Sequence, residues 1–113
     1  MNNFIKIKNI NKKYEKNKTI KVLNDITFNF ESGKIYSIVG PSGSGKSTLL
    51  NLLSLIDSPS SGSIEINKIK INYENSVEND KIRAKNIGII YQDKNLLSDF
   101  SAIENVYLPN LLL

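Results

Sequence analysis

A glycine-rich loop, GPSGSGKS at Gly40 to Ser47, limits the possible folds of this 113-residue chain more than any other segment. It follows an apolar run, Ile35 to Val39, and precedes a segment, Lys46 to Ile56, whose leucines recur at helical spacing. Glycines lack the Cβ atoms that would obstruct a phosphate, so successive backbone N–H groups can surround its oxygens. The start of the helix adds free N–H groups and the positive end of the helix dipole. The order of strand, glycine loop and helix therefore predicts a phosphate-binding unit of an α/β fold.

The polar side chains of this loop are of the types that triphosphate binding requires. Lys46 is expected to reach the β- and γ-phosphates, Ser47 to place its hydroxyl on Mg²⁺, and Thr48 to contact the α-phosphate. A structural glycine turn is the alternative, but such a turn has no need for Lys and Ser at these offsets. The predicted cofactor-binding residues of the loop are Gly40, Pro41, Ser42, Gly43, Ser44, Gly45, Lys46, Ser47 and Thr48.

Alternating apolar and polar residues on both sides of the loop predict antiparallel strands with one wet face. The pattern occurs at Ile5 to Lys8 and again at Ile26 to Glu31. The polar stretch between them, Asn11 to Thr19, is predicted to be the hairpin connection, with a possible further strand at Ile20 to Leu23. A second hairpin is predicted from Ile64 to Tyr73.

Two further runs have the composition of strands buried on both faces. These are Ile35 to Val39 and Ile87 to Tyr91, which are apolar or small almost throughout and are expected to lie in a central parallel sheet. A charged segment, Glu78 to Lys85, is predicted to be a short helix. Near the end of the chain, Ser101 and Glu104 form a capping box that predicts the start of another helix, which Pro109 should bend or end.

Composition excludes several classes of chemistry. The chain contains neither Cys nor His, so thiolate catalysis, cysteine zinc sites, Ser-His-Asp triads and histidine switches are ruled out. Fifteen basic residues against eleven acidic ones give a net charge of +4, but the lysines are scattered and Arg occurs only once. Base-reading interfaces favour Arg, so no nucleic-acid partner is expected. With no signal-peptide pattern and no apolar run of membrane-spanning length, a cytoplasmic location is expected.

On these motifs the sequence resembles the ATP-binding cassette family, the nucleotide-binding subunits of ABC transporters. The run GPSGSGKSTLLNLLSLIDSPSSGSIEI is similar to the family's Walker A segment and the hairpin after it. Tyr14 in NKKYE matches the position where family members stack an aromatic ring on adenine. Gln92 in IIYQD resembles the Q-loop glutamine, and NLLSDFSAIENVYLP is similar to the lipoprotein-releasing and macrolide-exporter branch. The resemblance implies that Lys46 and Gln92 serve catalysis and that Ser47 and Gln92 hold Mg²⁺.

The resemblance also implies a fold and a division of the chain. The fold is α/β, a partial P-loop NTPase core with an antiparallel β subdomain, truncated before its helical subdomain is complete. The uncapped ending Leu111 to Leu113 agrees with an N-terminal half of the family's domain. The implied parts of residues 1–113 are the antiparallel elements at 1–31 and 62–74, the P-loop core at 34–56 and 87–91, and the Q-loop with the start of the helical subdomain at 92–113.

Whether the chain is an enzyme stays open at this stage. The family's LSGGQ signature and switch histidine do not occur in it, and neither do its Walker B aspartate and catalytic glutamate in their family context. Complete family members are ATPases that pair as homodimers and drive transmembrane permease subunits from the inner face of the cell membrane. The present residues are expected to bind ATP and Mg²⁺ without hydrolysing ATP alone.

Alternatives remain for the function and for two of the residues. A guanylate or nucleoside monophosphate kinase also carries a GPSGxGKST loop, but within about its first dozen residues. A non-catalytic module could dock a membrane partner through Gln92 to Leu108. Tyr14 could simply close a hairpin, and Asp93 could be a Walker B carboxylate, although it falls two residues beyond the usual strand end.

Overall fold

The computed structural model describes residues 3–15 and 18–111 of the chain. The chain divides into two compact units, Met1–Tyr73 and Glu74–Leu113. The predicted grouping of residues 34–56 and 87–91 into one core spans both units and stays a prediction.

The first unit is built on a four-stranded antiparallel sheet. Its strands are β1 (Asn3–Glu15), β2 (Thr19–Glu31), β3 (Ser61–Ile66) and β4 (Ile69–Lys70), in the order β2-β1-β3-β4. The antiparallel strands predicted on both sides of the glycine loop are therefore confirmed. The second hairpin is shorter than predicted, because β4 ends at Lys70 and Tyr73 lies outside it.

The first hairpin is longer than the sequence suggested. The segment Asn11 to Glu15 was predicted to be part of a connection, and this was wrong, because β1 continues to Glu15, where it pairs with Thr19 of β2. The polar residues remain in the strand because backbone pairs such as Tyr14 with Ile20 extend the ladder, while their side chains mostly face solvent. Residues 16 and 17 lie outside the described part of the chain.

The core of the first unit lies between the sheet and one helix, α1 (Lys46–Leu53). Its fully buried side chains are Ile7, Ile10, Leu52, Ile64 and Ile66. The helix ends before the predicted Ile56, because Leu55 adopts a left-handed φ of 57°. The backbone N–H of Ile56 then bonds to the carbonyl of Asn51 at 3.0 Å, which closes the helix end as a turn.

The two predicted parallel strands do not form. No strand is assigned at Ile35–Val39 or at 87–91 within the described residues, and Ile35, Val39 and Ile90 are 98%, 86% and 92% exposed. An apolar strand of this type is stable when neighbouring strands pair with both of its edges. The ladders of the described residues are all formed by β1 to β4, so neither run has such a neighbour here.

The second unit contains two helices, α2 (Ser76–Asn86) and α3 (Ala102–Leu111). The capping box of α3 is confirmed: Ser101 N–H donates to Glu104 Oε2 at 2.7 Å, and Glu104 N–H donates to Ser101 Oγ at 3.2 Å. Pro109 does not end the helix where it stands, because α3 continues to Leu111. Residues 112 and 113, part of the predicted uncapped ending, lie outside the described residues. No helix in the described part of the chain is long and apolar enough to cross a membrane.

Candidate phosphate-binding site

The glycine loop forms a compact turn that leads directly into α1. Ser44 N–H bonds to the carbonyl of Pro41 at 3.2 Å, and Leu49 N–H bonds to that of Gly45 at 2.9 Å. Gly43 and Gly45 have φ values of 80° and 98°, a region that L-residues rarely adopt. The two glycines therefore allow the chain to reverse and enter the helix without side-chain strain.

The loop also approaches β2 closely at Gly45, where a side chain would be crowded. A Cβ atom placed on Gly45 would lie 3.0 Å from Leu23 Cδ2, 3.1 Å from Val22 Cγ1 and 3.2 Å from the Val22 carbonyl oxygen. Next to this contact is an open cavity of about 280 Å³. Its lining consists of Val22, Ser42, Gly43, Gly45, Lys46, Ser47 and Thr48.

A β-bulge places Val22 at this cavity. Lys12 pairs with Leu23 and Lys13 pairs with Lys21, so one step along β1 corresponds to two steps along β2, and Val22 is the extra residue. Bulges redirect a side chain relative to the regular alternation of a strand. The register of the β1–β2 hairpin thus determines one wall of the cavity.

Lys46 holds its ammonium group within the loop. Its Nζ donates to the carbonyls of Gly40 at 2.6 Å and Pro41 at 2.8 Å, and lies 3.4 Å from Ser44 Oγ. An ammonium has three protons to donate, so this group links the first residues of the loop to the first residue of α1. A positive charge therefore lies where the loop turns.

The start of α1 presents an electropositive backbone. Gly45 is the N-cap and makes no side-chain cap bond, and the first turn contains no acidic residue. The N–H groups at a helix start have no partner within the helix and carry the positive end of its dipole. Together with Lys46, this geometry is suited to a phosphate group.

Tyr14 lies near the C-terminal end of β1. It pairs with Ile20, donates its hydroxyl to Asp57 Oδ2 at 3.2 Å and is 39% exposed. The ammonium of Lys12 lies 5.0 Å from the ring centroid. The pairing fits the hairpin interpretation and the exposure leaves room for base stacking, so the stacking role stays a prediction.

Gln92 belongs to the second unit and lies in an exposed bend. Hydrogen bonds of 2.7 Å join Tyr91 N–H to Asn95 Oδ1 and Asn95 Nδ2 to the Tyr91 carbonyl, closing the turn that contains Gln92 and Asp93. Their roles at a nucleotide stay predictions. Among the described residues no three Asp, Glu, His or Cys side chains cluster as a metal site would require.

One pair of residues beside the site was not anticipated from the sequence. Lys12 and Asp57 form an ion pair of 2.8 Å, with Lys12 only 8% exposed. Burial alone would raise the pKa of Asp57, but bonds from Lys12 and from the Ser58 N–H, the Lys12 charge and the Tyr14 hydroxyl outweigh it and hold that pKa below its ordinary value. The sequence signal was the spacing of Lys12 two residues after buried Ile10, which places it in an inward position of the strand.

Comparison with known proteins identifies the class to which this loop and fold belong. The sequence model of the ABC transporter family matches residues 23–110, and the chain belongs to this family. The resemblance found in the sequence is thereby confirmed, and the match favours this family over the nucleoside monophosphate kinases.

Individual members of the family show which ATP-binding proteins the chain is similar to. The lipoprotein-releasing system ATP-binding protein LolD of Wigglesworthia glossinidia brevipalpis is 46% identical over 99% of this chain and 50% of its own length. The uncharacterized ABC transporter ATP-binding protein MJ0796 of Methanocaldococcus jannaschii is 42% identical over 93% of this chain and 45% of its own length. The chain thus spans about half the length of the curated relatives it matches.

Solved structures agree with the sequence relatives. A dimeric structure of the MJ0796 cassette superposes with a TM-score of 0.88 at 42% identity, covering 95% of this chain and 47% of that one. A second dimeric MJ0796 structure, in a post-hydrolysis state bound to ADP and Pi, gives the same TM-score at 41% identity. The partial ABC-ATPase fold predicted from the sequence is therefore confirmed.

Proposed function

We propose that the chain provides the ATP-binding part of an ABC transporter ATPase, with the triphosphate held by residues 40–48. The observation that carries this proposal is the position of the Lys46 ammonium, bonded at 2.6 and 2.8 Å to two carbonyls of the glycine loop. Phosphate oxygens at the adjacent cavity would be within reach of this cation and of the first N–H groups of α1. Charge-assisted hydrogen bonds of this kind contribute about 1.5–3 kcal/mol each.

The residues present fit a magnesium nucleotide better than a bare metal ion. A hydroxyl at Ser47 and a polar side chain at Gln92 are neutral ligands, and no carboxylate cluster stands among the described residues to hold a cation alone. Mg²⁺ commonly binds through one or two protein groups together with substrate phosphates. We therefore assign Ser47 to Mg²⁺ only in the presence of the triphosphate, with Tyr14 stacking on the adenine, and the metal-binding role of Gln92, in the second unit, stays a prediction.

The relatives of the chain support a proposal for its partners. MJ0796 is described as dimeric, and two LolD proteins among the relatives belong to lipoprotein-releasing systems. We propose that the whole protein pairs with a second copy on the inner face of the membrane and couples ATP hydrolysis to a permease, with lipoprotein release as the process. Lys46 and Gln92 are the catalytic residues of that proposal, and docking through residues 92–108 is part of it rather than a separate function.

A calorimetric titration with Mg-ATP tests the phosphate assignment. Lys46→Ala removes the cation that is proposed to bind the phosphates, together with its bonds to the Gly40 and Pro41 carbonyls. The affinity for Mg-ATP should therefore fall by about tenfold or more. Lys8→Ala is the matched control, because it removes the same charge from an exposed position of β1 and should leave the affinity unchanged. Equal affinities for wild type and Lys46→Ala would contradict the proposed site.

A further inference from the structure

A polar network joins the hairpin end to the segment after α1. Lys12 donates to Asp57 Oδ1 at 2.8 Å and to the Ser58 carbonyl at 2.6 Å. The Ser58 N–H donates to the same Oδ1 at 2.7 Å. The other carboxylate oxygen of Asp57 accepts the Tyr14 hydroxyl at 3.2 Å. Both oxygens of Asp57 are therefore engaged, and the residue links β1 to the end of the loop's helix.

The same network fixes the Tyr14 ring at two points. Asp57 holds the hydroxyl at the edge of the ring, and the Lys12 ammonium lies 5.0 Å from the centroid over one face. An exposed side chain at a strand end would otherwise exchange among staggered rotamers. The Lys12 side chain itself has little conformational freedom, because it is 8% exposed and its ammonium donates to both Asp57 and the Ser58 carbonyl.

The ring is held in fixed relation to the phosphate-binding loop. Lys12 pairs with Leu23, and atoms of Leu23 and Val22 lie nearest to the position that a Cβ atom on Gly45 would occupy. Tyr14 is two residues beyond Lys12 on the same strand, a step of about 7 Å. Asp57 follows α1, the helix that begins at Lys46. Both anchors of the ring thus belong to elements that also position the loop.

We propose that Asp57, acting with Lys12, is a positioning residue that orients Tyr14 so that a purine base stacks on the ring face opposite Lys12. This inference rests on the proposed function and adds to it a role for Asp57, a residue that touches neither the base nor the phosphates. Preorganisation of the ring reduces the ordering cost of stacking. Asp57 should therefore affect the base contribution to binding and leave the phosphate contribution alone.

Titrations with two ligands separate these contributions. Mg-ATP carries base and phosphates, whereas Mg-tripolyphosphate carries phosphates only. In the wild type, ATP should bind about fivefold or more tightly than tripolyphosphate, since base–aromatic stacking has this magnitude. Asp57→Asn should reduce that preference while leaving the tripolyphosphate affinity unchanged. Tyr14→Ala should abolish the preference, and Asp57→Asn added to Tyr14→Ala should then have no further effect.

Two more variants serve as an independent check and as a control. Tyr14→Phe keeps the ring and removes only its bond to Asp57, so it should shift the preference in the same direction as Asp57→Asn, whether or not the latter folds. Glu65→Gln is the matched control: it makes the same acid-to-amide change in a more exposed ion pair, 3.2 Å from Lys6 on the same sheet, and should change neither affinity.

Each contrary result has a distinct meaning. If Asp57→Asn weakens both ligands equally, Asp57 supports the loop rather than the ring, and the inference is overturned. If Tyr14→Ala abolishes the preference while Asp57→Asn and Tyr14→Phe leave it intact, the inference fails and the proposed function stands. If Tyr14→Ala leaves the preference intact, the stacking role of Tyr14 and this inference both fail, while triphosphate binding at residues 40–48 stands. If Lys46→Ala leaves binding intact, the proposed function fails, and this inference fails with it.

Discussion

Gly45 offers a direct test of the contact between the glycine loop and β2. It combines a φ of 98° with neighbours at 3.0 to 3.2 Å from the position where a Cβ would stand. Gly33 has a similar φ of 75°, but nothing lies within 4 Å of its Cβ position. Alanine at Gly33 therefore introduces backbone strain alone, and alanine at Gly45 introduces strain together with crowding against Val22 and Leu23.

The expected free energies follow from these two contributions. A left-handed conformation costs an L-residue about 1–2 kcal/mol, which is the expected destabilisation for Gly33→Ala. Crowding a packed site adds about 1–3 kcal/mol, so Gly45→Ala should be destabilising by about 2–5 kcal/mol. The loss of chain freedom in the unfolded state is the same for both substitutions and cancels in the comparison.

Urea unfolding followed by far-ultraviolet circular dichroism measures both values. The chain has no Trp, so circular dichroism is preferable to fluorescence. Gly45→Ala should have the lower midpoint at an unchanged denaturant slope. Equal destabilisation by the two variants would refute the argument, because the close approach of the loop to Val22 and Leu23 would then have no energetic consequence.

Two further predictions concern stability. Burial raises the pKa of Tyr73 to about 12, and its buried hydroxyl has no hydrogen-bond partner among the described residues; because the proton is held more tightly in the folded state, stability should fall as pH rises from 10 towards 12. Tyr73→Phe should remove this fall in stability above pH 10 and leave stability at neutral pH equal or higher. Thermal melts of both proteins at pH 7, 10 and 11 measure the effect. A steeper loss of stability at alkaline pH in Tyr73→Phe than in the wild type would contradict the prediction. Ser101→Ala breaks one half of the capping box and should lower stability by about 1 kcal/mol, measured by urea unfolding, with Ser98→Ala, outside any helix, as the neutral control.

The sequence predicted best those features whose causes are local. The loop at 40–48 could be predicted because glycines are required where φ is positive and because Lys46 stands at the helix start. The capping box at Ser101 and Glu104 likewise depends on two residues three apart. In each case the residues that determine the conformation are those that adopt it, so their spacing along the chain carries the information.

The Lys12–Asp57 pair shows where such reasoning fails. Its members are 45 residues apart, and neither the alternation in β1 nor the break after α1 indicates that they meet. The contact depends on the register of β1 against β2 and on the point at which α1 ends. The sequence predicted no register for these strands, and its predicted ends for β1 and α1 were wrong, since β1 continues to Glu15 and α1 ends at Leu53.

The unformed strands have a related physical origin. A hairpin such as β1–β2 pairs segments that are close in sequence, whereas a parallel strand needs partners supplied by crossovers of a dozen or more residues. Ile35–Val39 therefore has the composition of a buried strand without the pairing that would bury it. The glycine loop that follows keeps its shape nonetheless, because Lys46 bonds to Gly40 and Pro41 and Gly45 packs on Val22. The candidate site thus depends on contacts within the first unit, and its geometry does not require the preceding apolar run to be paired.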